Sequence, residues 1–197
     1  MQQQEISMVN PYIHQIRQTL QRNQPGAVDW LVLAHNDSQL LSRVDAAFSD
    51  SVLAVIALPQ SHWQLDELRI SEAIDWAIQK LGVKGVLVVG HSQSEVTEDT
   101  IRLLGGKVKN RRYPLDVAPK SYSLLDRVRK TQLRAEGLQR QLAGHIEKLC
   151  RLTVVQSHMI RHQLQLHGLF YRAESDMFYA YDLQKRNFRP LLSEAAA

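Results

Sequence analysis

Three short runs in this chain are apolar throughout and rich in branched residues: "WLVLA" at 30–34, "VLAVIAL" at 52–58 and "VLVV" at 86–89. Strands with one wet face alternate apolar and polar residues. Runs without alternation suit parallel strands covered on both faces. Between the second and third runs lies "DELRISEAIDWAIQKLG". Its spacing predicts a helix with Leu68, Ile74, Ile78 and Leu81 on one stripe, joined by Ala73 and Ala77. Asp66 is placed to cap its start and Gly82 to end it. Strand, helix, strand makes a right-handed crossover unit. The fold class is therefore α/β, a mainly parallel β-sheet flanked by helices.

Upstream, "NPYIHQIRQTLQR" reads as a helix, with Asn10 as cap, Pro11 in the first turn and Ile13, Ile16 and Leu20 on one face. Residues 1–28 are thus an N-terminal helical arm, and residues 29–197 an α/β domain. Downstream, "LLGGKVKNRRYPLDVAPKS" is a basic loop over 102–122, punctuated by Gly and Pro. A long helical region from about Ser123 to His162 follows, with breaks expected at Gly137 and Gly144. "LQLHGLFYRAESDMFYAYD" reads as two strands around a turn at "AESD".

The 197 residues suit one domain, and a 44% hydrophobic share is enough to fill a core. A single cysteine, Cys150, excludes an intramolecular disulfide and points to a reducing compartment. The N-terminal "MQQQEISMVNPYIHQI" lacks the basic start and apolar core of a signal peptide, and no apolar run reaches the ~20 residues of a membrane span. The expectation is a cytoplasmic protein with no membrane span. The net charge of +4 is uneven, because residues 102–134 carry ten Lys and Arg against two acids. That field would attract anions or nucleic acid. With only Tyr113 and Tyr122 there for stacking and no recognised module, a solvated face is the reading preferred over a nucleic-acid site.

Parallel sheets bind ligands at the carboxyl ends of their strands. The first strand runs into "AHND", bringing His35 and Asp37, and the third into "GHSQS", bringing His91 and Ser94. If those strands are neighbours, both clusters share one crevice. Two histidines and a carboxylate are a known zinc ligand set that leaves a position open for water. Against that stands the plainer reading, strand-end histidines bonded to backbone, which the spacing alone favours.

These residues resemble the β-class carbonic anhydrases, from about Asp29 to Asp182. That family supplies zinc ligands from C-x-D-x-R after its first strand and H-x-x-C after its third. By that resemblance His35 stands where the first cysteine belongs, Asp37 at the aspartate and Gln39 at the arginine. His91 stands at the histidine and Ser94 at the second cysteine. The departures carry as much as the matches. Both thiolates are absent, and Cys150 lies in a predicted helix where it cannot replace them. Gln39 cannot hold Asp37 as the family's arginine does. The family's Arg-Asn pair after the second strand is replaced by "IALPQSHW", and its glycines after the second cysteine by Glu95 and Val96.

The resemblance therefore implies a catalytically degenerate homologue that binds a protein, an active paralogue or a small ligand, without a cofactor. The alternative is a carbonic anhydrase with altered ligands, in which His35, Asp37, His91 and Ser94 hold zinc or another divalent metal and act on CO2 and bicarbonate. A homodimer or larger homo-oligomer is implied in both. Other residues have plainer readings. His158 and His162, spaced i, i+4, form a solvated helix face. His167 is a core residue on a strand, Cys150 a small buried hydrophobe, and Trp63 and Trp76 packing residues.

Overall fold

The structure, a computed structural model, describes residues 10–22, 27–58, 67–94 and 124–191. The elements in chain order are α1 (Pro11–Arg22), β1 (Trp30–His35), α2 (Ser38–Ala47), β2 (Leu53–Leu58), α3 (Glu67–Leu81), β3 (Gly85–His91), α4 (Leu124–Arg151), α5 (Thr153–Ile160), β4 (Gln165–Arg172), β5 (Met177–Asp182) and β6 (Asn187–Pro190). They build one six-stranded sheet in the order β2-β1-β3-β4-β5-β6. The first four strands pair in parallel, and β5 and β6 add antiparallel. The three apolar runs are β1, β2 and β3 of the parallel part of the sheet, with β2 at its border, and the turn expected at "AESD" joins β4 to β5. In that turn Asp176 takes φ 51°, a left-handed conformation that Asp tolerates better than most residues.

Two cores lie on the two faces of the sheet. On one, Ile13 and Ile16 of α1, Ile70, Ile74 and Ala77 of α3, and Leu142, Ile146 and Leu149 of α4 cover Leu31, Leu33, Ile56, Val86 and Val88. On the other, Leu40 and Val44 of α2 cover Val32, Ala34 and Leu53. The first helix packs on its own sheet. Asn10 caps it, its Oδ1 accepting from Tyr12 N at 3.0 Å and Ile13 N at 3.4 Å. The Asn10 amide also donates to Arg69 O at 2.8 Å and Glu72 Oε2 at 3.0 Å, tying α1 to α3. Further along α1, Gln15 Oε1 accepts the outward N–H of Ala57 on edge strand β2 at 3.0 Å.

Helix α3 spans the expected residues and ends at Gly82, whose φ of +69° is the left-handed cap a glycine supplies. Its stripe differs from the expected one. Leu68 is 70% exposed, and Ile70 is buried in its place with Ala73, Ile74 and Ala77. Ile70, Ala73, Ile74 and Ala77 follow the i, i+3, i+4, i+7 rule closely, and Leu68 lies off that line. Asp66 lies outside the described residues.

The long helical region breaks at Leu152, which is extended at φ −63°, ψ 127°, and runs through Gly137 and Gly144 unbroken. A helical glycine costs about 1 kcal/mol, which the buried stripe of Ala135, Leu138, Leu142, Ile146 and Leu149 outweighs. Because α5 ends at Ile160, His162 sits beyond it at φ 56° and shares no helix face with His158. His158 bonds Gln163 Oε1 at 3.0 Å and faces Asp75 at 3.9 Å. His167 is exposed rather than core, because its side of β4 has no helix over it at that end among the described residues. Cys150 and Trp76 are partly buried against the main core. Helix α2 and strand β6 are elements the sequence reading did not foresee. Trp63 and the basic loop at 102–122 lie outside the described residues. Among those described, no helix is long and apolar enough to cross a membrane.

Asn10→Ala removes the α1 cap and the tie to α3 together. We expect it to cost about 1–2 kcal/mol, read as a lower urea midpoint at unchanged slope.

Candidate functional site

Strands β1 and β3 are adjacent and in register, Ala34 opposite Val89. Their carboxyl ends therefore bring His35 and His91 together. The rings are edge to face, 5.6 Å between centroids and 72° between planes. Both are buried, at 9% and 4% exposure. Beyond His91 the chain turns, and Ser94 N donates to His91 O at 3.3 Å. This folds Ser94 back into the crevice at 2% exposure, where its Oγ lies 2.9 Å from His35 Nδ1. Ser92 anchors the same turn to the β4–β5 hairpin. Its Oγ donates to Glu174 Oε2 at 2.7 Å and accepts from Ala173 N at 3.1 Å.

Asp37 and Gln39 follow at the start of α2, with Asp37 near enough to act electrostatically on both His35 and His91. Asp37 is the N-cap of α2, its Oδ1 accepting Leu40 N at 2.8 Å. Gln39 lies within α2 and is exposed.

Sequence reasoning missed the roof of the crevice. One face of α4 carries Arg134, Leu138, Gln141, Leu142 and His145, at spacings that share a helix side. Leu138, Gln141, Leu142 and His145 line the crevice with His35, Gly90, His91, Ser94 and Phe170. Arg134 Nη2 donates to Ser94 O at 2.9 Å. The only sequence signal for this face is the helical repeat itself. Nothing in the local text of "LRAEGLQRQLAGH" says which sheet edge it meets. The helix comes this close because a Cβ on Gly90 would sit 3.1 Å from Leu142 Cδ2, and one on Gly168 would collide with Ile146 Cδ1. The space they line is about 20 Å³, room for roughly one water molecule.

Burial governs the electrostatics. The His35 pKa falls to about 4, chiefly through desolvation, with His91 and His145 pushing the same way and Asp37 opposing. Desolvation also lowers His91, with Asp37 opposing and Arg134 adding to the fall. At neutral pH His35 and His91 are neutral imidazoles beside the Ser94 hydroxyl. His91 Nε2 is buried with no hydrogen-bond partner among the described residues.

A thiolate zinc site needs ligands that neutralise the ion. The donors here are an imidazole and a serine hydroxyl bonded to each other, a second imidazole, and a carboxylate that caps a helix. Among the described residues no group of three His, Cys, Asp or Glu is arranged to hold a metal ion. The residues present do not fit such a site.

A family model described as carbonic anhydrase matches residues 44–177. No curated protein matches the chain. Among solved structures it is similar to the β-carbonic anhydrase CcaA, at 16% identity and TM-score 0.59 over 96% of each chain. It is also similar to the β-carbonic anhydrase CafA of the fungal pathogen Aspergillus fumigatus, at 17% identity and TM-score 0.55 over 90% of this chain and 84% of that one. A third likeness is to a structure from a study of two tetrameric β-carbonic anhydrases of Sordaria macrospora, at 14% identity and TM-score 0.55 over 88% of each.

Because the folded His35 pKa lies below the ordinary value of 6.5, the unfolded chain binds the proton first as pH falls. This contribution to stability is complete above about pH 6.5 and is lost toward pH 4, about 3 kcal/mol in all. Between pH 7 and pH 4 the parent should lose that much more stability than His35→Gln. Equal losses in urea titrations at the two pH values would show that His35 titrates normally.

Proposed function

This chain belongs to the β-carbonic anhydrase family, and from that premise we propose that it is a catalytically degenerate member. It acts by binding a protein or a small ligand rather than by hydrating CO2. The observation that carries this is the 2.9 Å bond between Ser94 Oγ and His35 Nδ1. These are the two positions where the resemblance expects thiolates, and here they satisfy each other as neutral partners.

CO2 hydration at neutral pH needs a hydroxide nucleophile, which in metal-dependent hydration comes from water acidified by a bound ion. His35 is poorly suited to replace it. A general base works best with a pKa near the working pH, and His35 at about 4 is far below it. Asp37 Oδ1 accepts Leu40 N and caps α2. The space under α4 is about 20 Å³, room for roughly one water molecule.

The same reading makes the protein a cytoplasmic homodimer or larger homo-oligomer, with an active paralogue among its candidate partners. Light scattering at micromolar concentration should report at least a dimer, and a monomer would remove that part.

Protein purified without chelators should carry substoichiometric zinc and show no CO2 hydration above buffer. One zinc per chain, with hydration abolished by His91→Ala, would overturn the proposal in favour of the carbonic anhydrase with altered ligands.

The mapping has its own test. The triple variant His35→Cys, Gln39→Arg, Ser94→Cys should bind zinc far more tightly than the parent, since two thiolates neutralise the ion. A folded variant that takes up no more zinc than the parent would show that these positions do not descend from a zinc site.

A further inference from the structure

On the sheet face away from α4, a groove of about 340 Å³ lies over β3, β4 and β5. That volume falls within the range of small-molecule pockets, about 300–1,000 Å³, and it stands apart from the crevice at the strand ends. Its floor is Leu87, Leu169 and the small Ala180. One wall is Trp30, whose ring lies over Gly85. A Cβ at that position would fall on the indole, so only glycine lets the ring lie there. Phe48 meets Trp30 edge-on at 6.1 Å and 60°, and His167 does so at 5.5 Å and 69°. The indole is thus held in place before any ligand arrives. Phe178 forms the opposite wall, with Leu191 at its lip.

The rim supplies one polar group. His167 Nε2 lies 3.3 Å from Gln165 Oε1. An amide oxygen only accepts, so Nε2 carries the hydrogen and Nδ1 presents a lone pair. Partial burial lowers the His167 pKa, so the ring is neutral at pH 7. Among the described residues no Asp, Glu, Lys or Arg lines the groove to balance a charged ligand, and the neutral imidazole offers an acceptor to a single donor.

We propose that this groove is a binding site for a small, flat, uncharged aromatic molecule bearing one hydrogen-bond donor, of the phenol or indole class. The ring lies between Trp30 and Phe178 over Ala180, and the donor faces His167 Nδ1. Displacing loosely held water from such a surface favours the apolar body, and the imidazole selects the donor. The proposal does not depend on whether the strand-end crevice is catalytic, and zinc content and hydration activity have no bearing on it.

The probes are p-cresol and toluene, followed by chemical-shift titration at the Trp30 indole N–H. We expect saturable binding of both, with p-cresol tighter by roughly threefold to tenfold, the worth of one hydrogen bond. His167→Leu, at an exposed position, should erase that preference while toluene binding stays. Ala180→Leu should fill the floor and block both. No saturable shift for either probe would overturn the proposal. So would a p-cresol preference that survives His167→Leu, or binding unchanged in a folded Ala180→Leu. If binding appears only when Leu191→Glu has turned an oligomer into a monomer, a second copy of the chain covers the groove, and the small-molecule reading falls.

Discussion

Helix α4 can lie against β3 and β4 because Gly90 and Gly168 present no side chain to it. Much else follows from that close approach. Leu142 and Ile146 reach the sheet, and the face two turns earlier is carried over the strand ends. There Arg134 takes the Ser94 carbonyl and fixes the turn after β3. A fixed turn puts Ser94 Oγ against His35. The imidazoles beneath are then largely buried, and that burial lowers their pKa values. One backbone-level feature, two missing Cβ atoms, so determines both the packing of the longest helix and the chemistry of the crevice.

The crevice also shows why its residues form a consistent set. Two thiolates at positions 35 and 94 would be like charges in a desolvated space, tolerable only with a cation between them. A neutral imidazole and a hydroxyl can donate and accept between themselves. The buried pair then needs no counter-ion, and Asp37 caps α2. Changing one of these positions alone would have left a buried donor or charge uncompensated, which is costly. On the proposed mapping, these positions read more easily as one electrostatic change than as separate losses.

What the sequence made legible was what it encodes locally. Continuous apolar runs marked β1, β2 and β3, a helical period and a glycine stop marked α3, and Asn10 with Pro11 marked the start of α1. The juxtaposition of His35 and His91 was legible because strand ends in a parallel sheet share an edge. Errors fell where local text is ambiguous or silent. Leu68 is as apolar as Ile70, and only the sheet beneath decides which is buried. Gly137 and Gly144 look like helix breaks until the buried stripe through them is counted. His145 and Arg134 could not be assigned to the crevice, since their roles depend on where a distant helix lands. His167 sits in apolar text, yet its face of β4 is left open at that end.

The bond from Gln15 Oε1 to the Ala57 amide lies on the outermost strand of the sheet. That strand is where another chain would pair if its N–H groups stood bare. A side chain from α1 occupies one of them, and at the opposite border β6 ends in Pro190, which has no N–H to give. The two margins are thus blunted by different means. Sheet-to-sheet stacking at high concentration, or during the interval before α1 docks, has fewer free hydrogen-bond donors to start from. On this account loosening α1 would cost solubility as well as stability, because the guard on β2 travels with the helix.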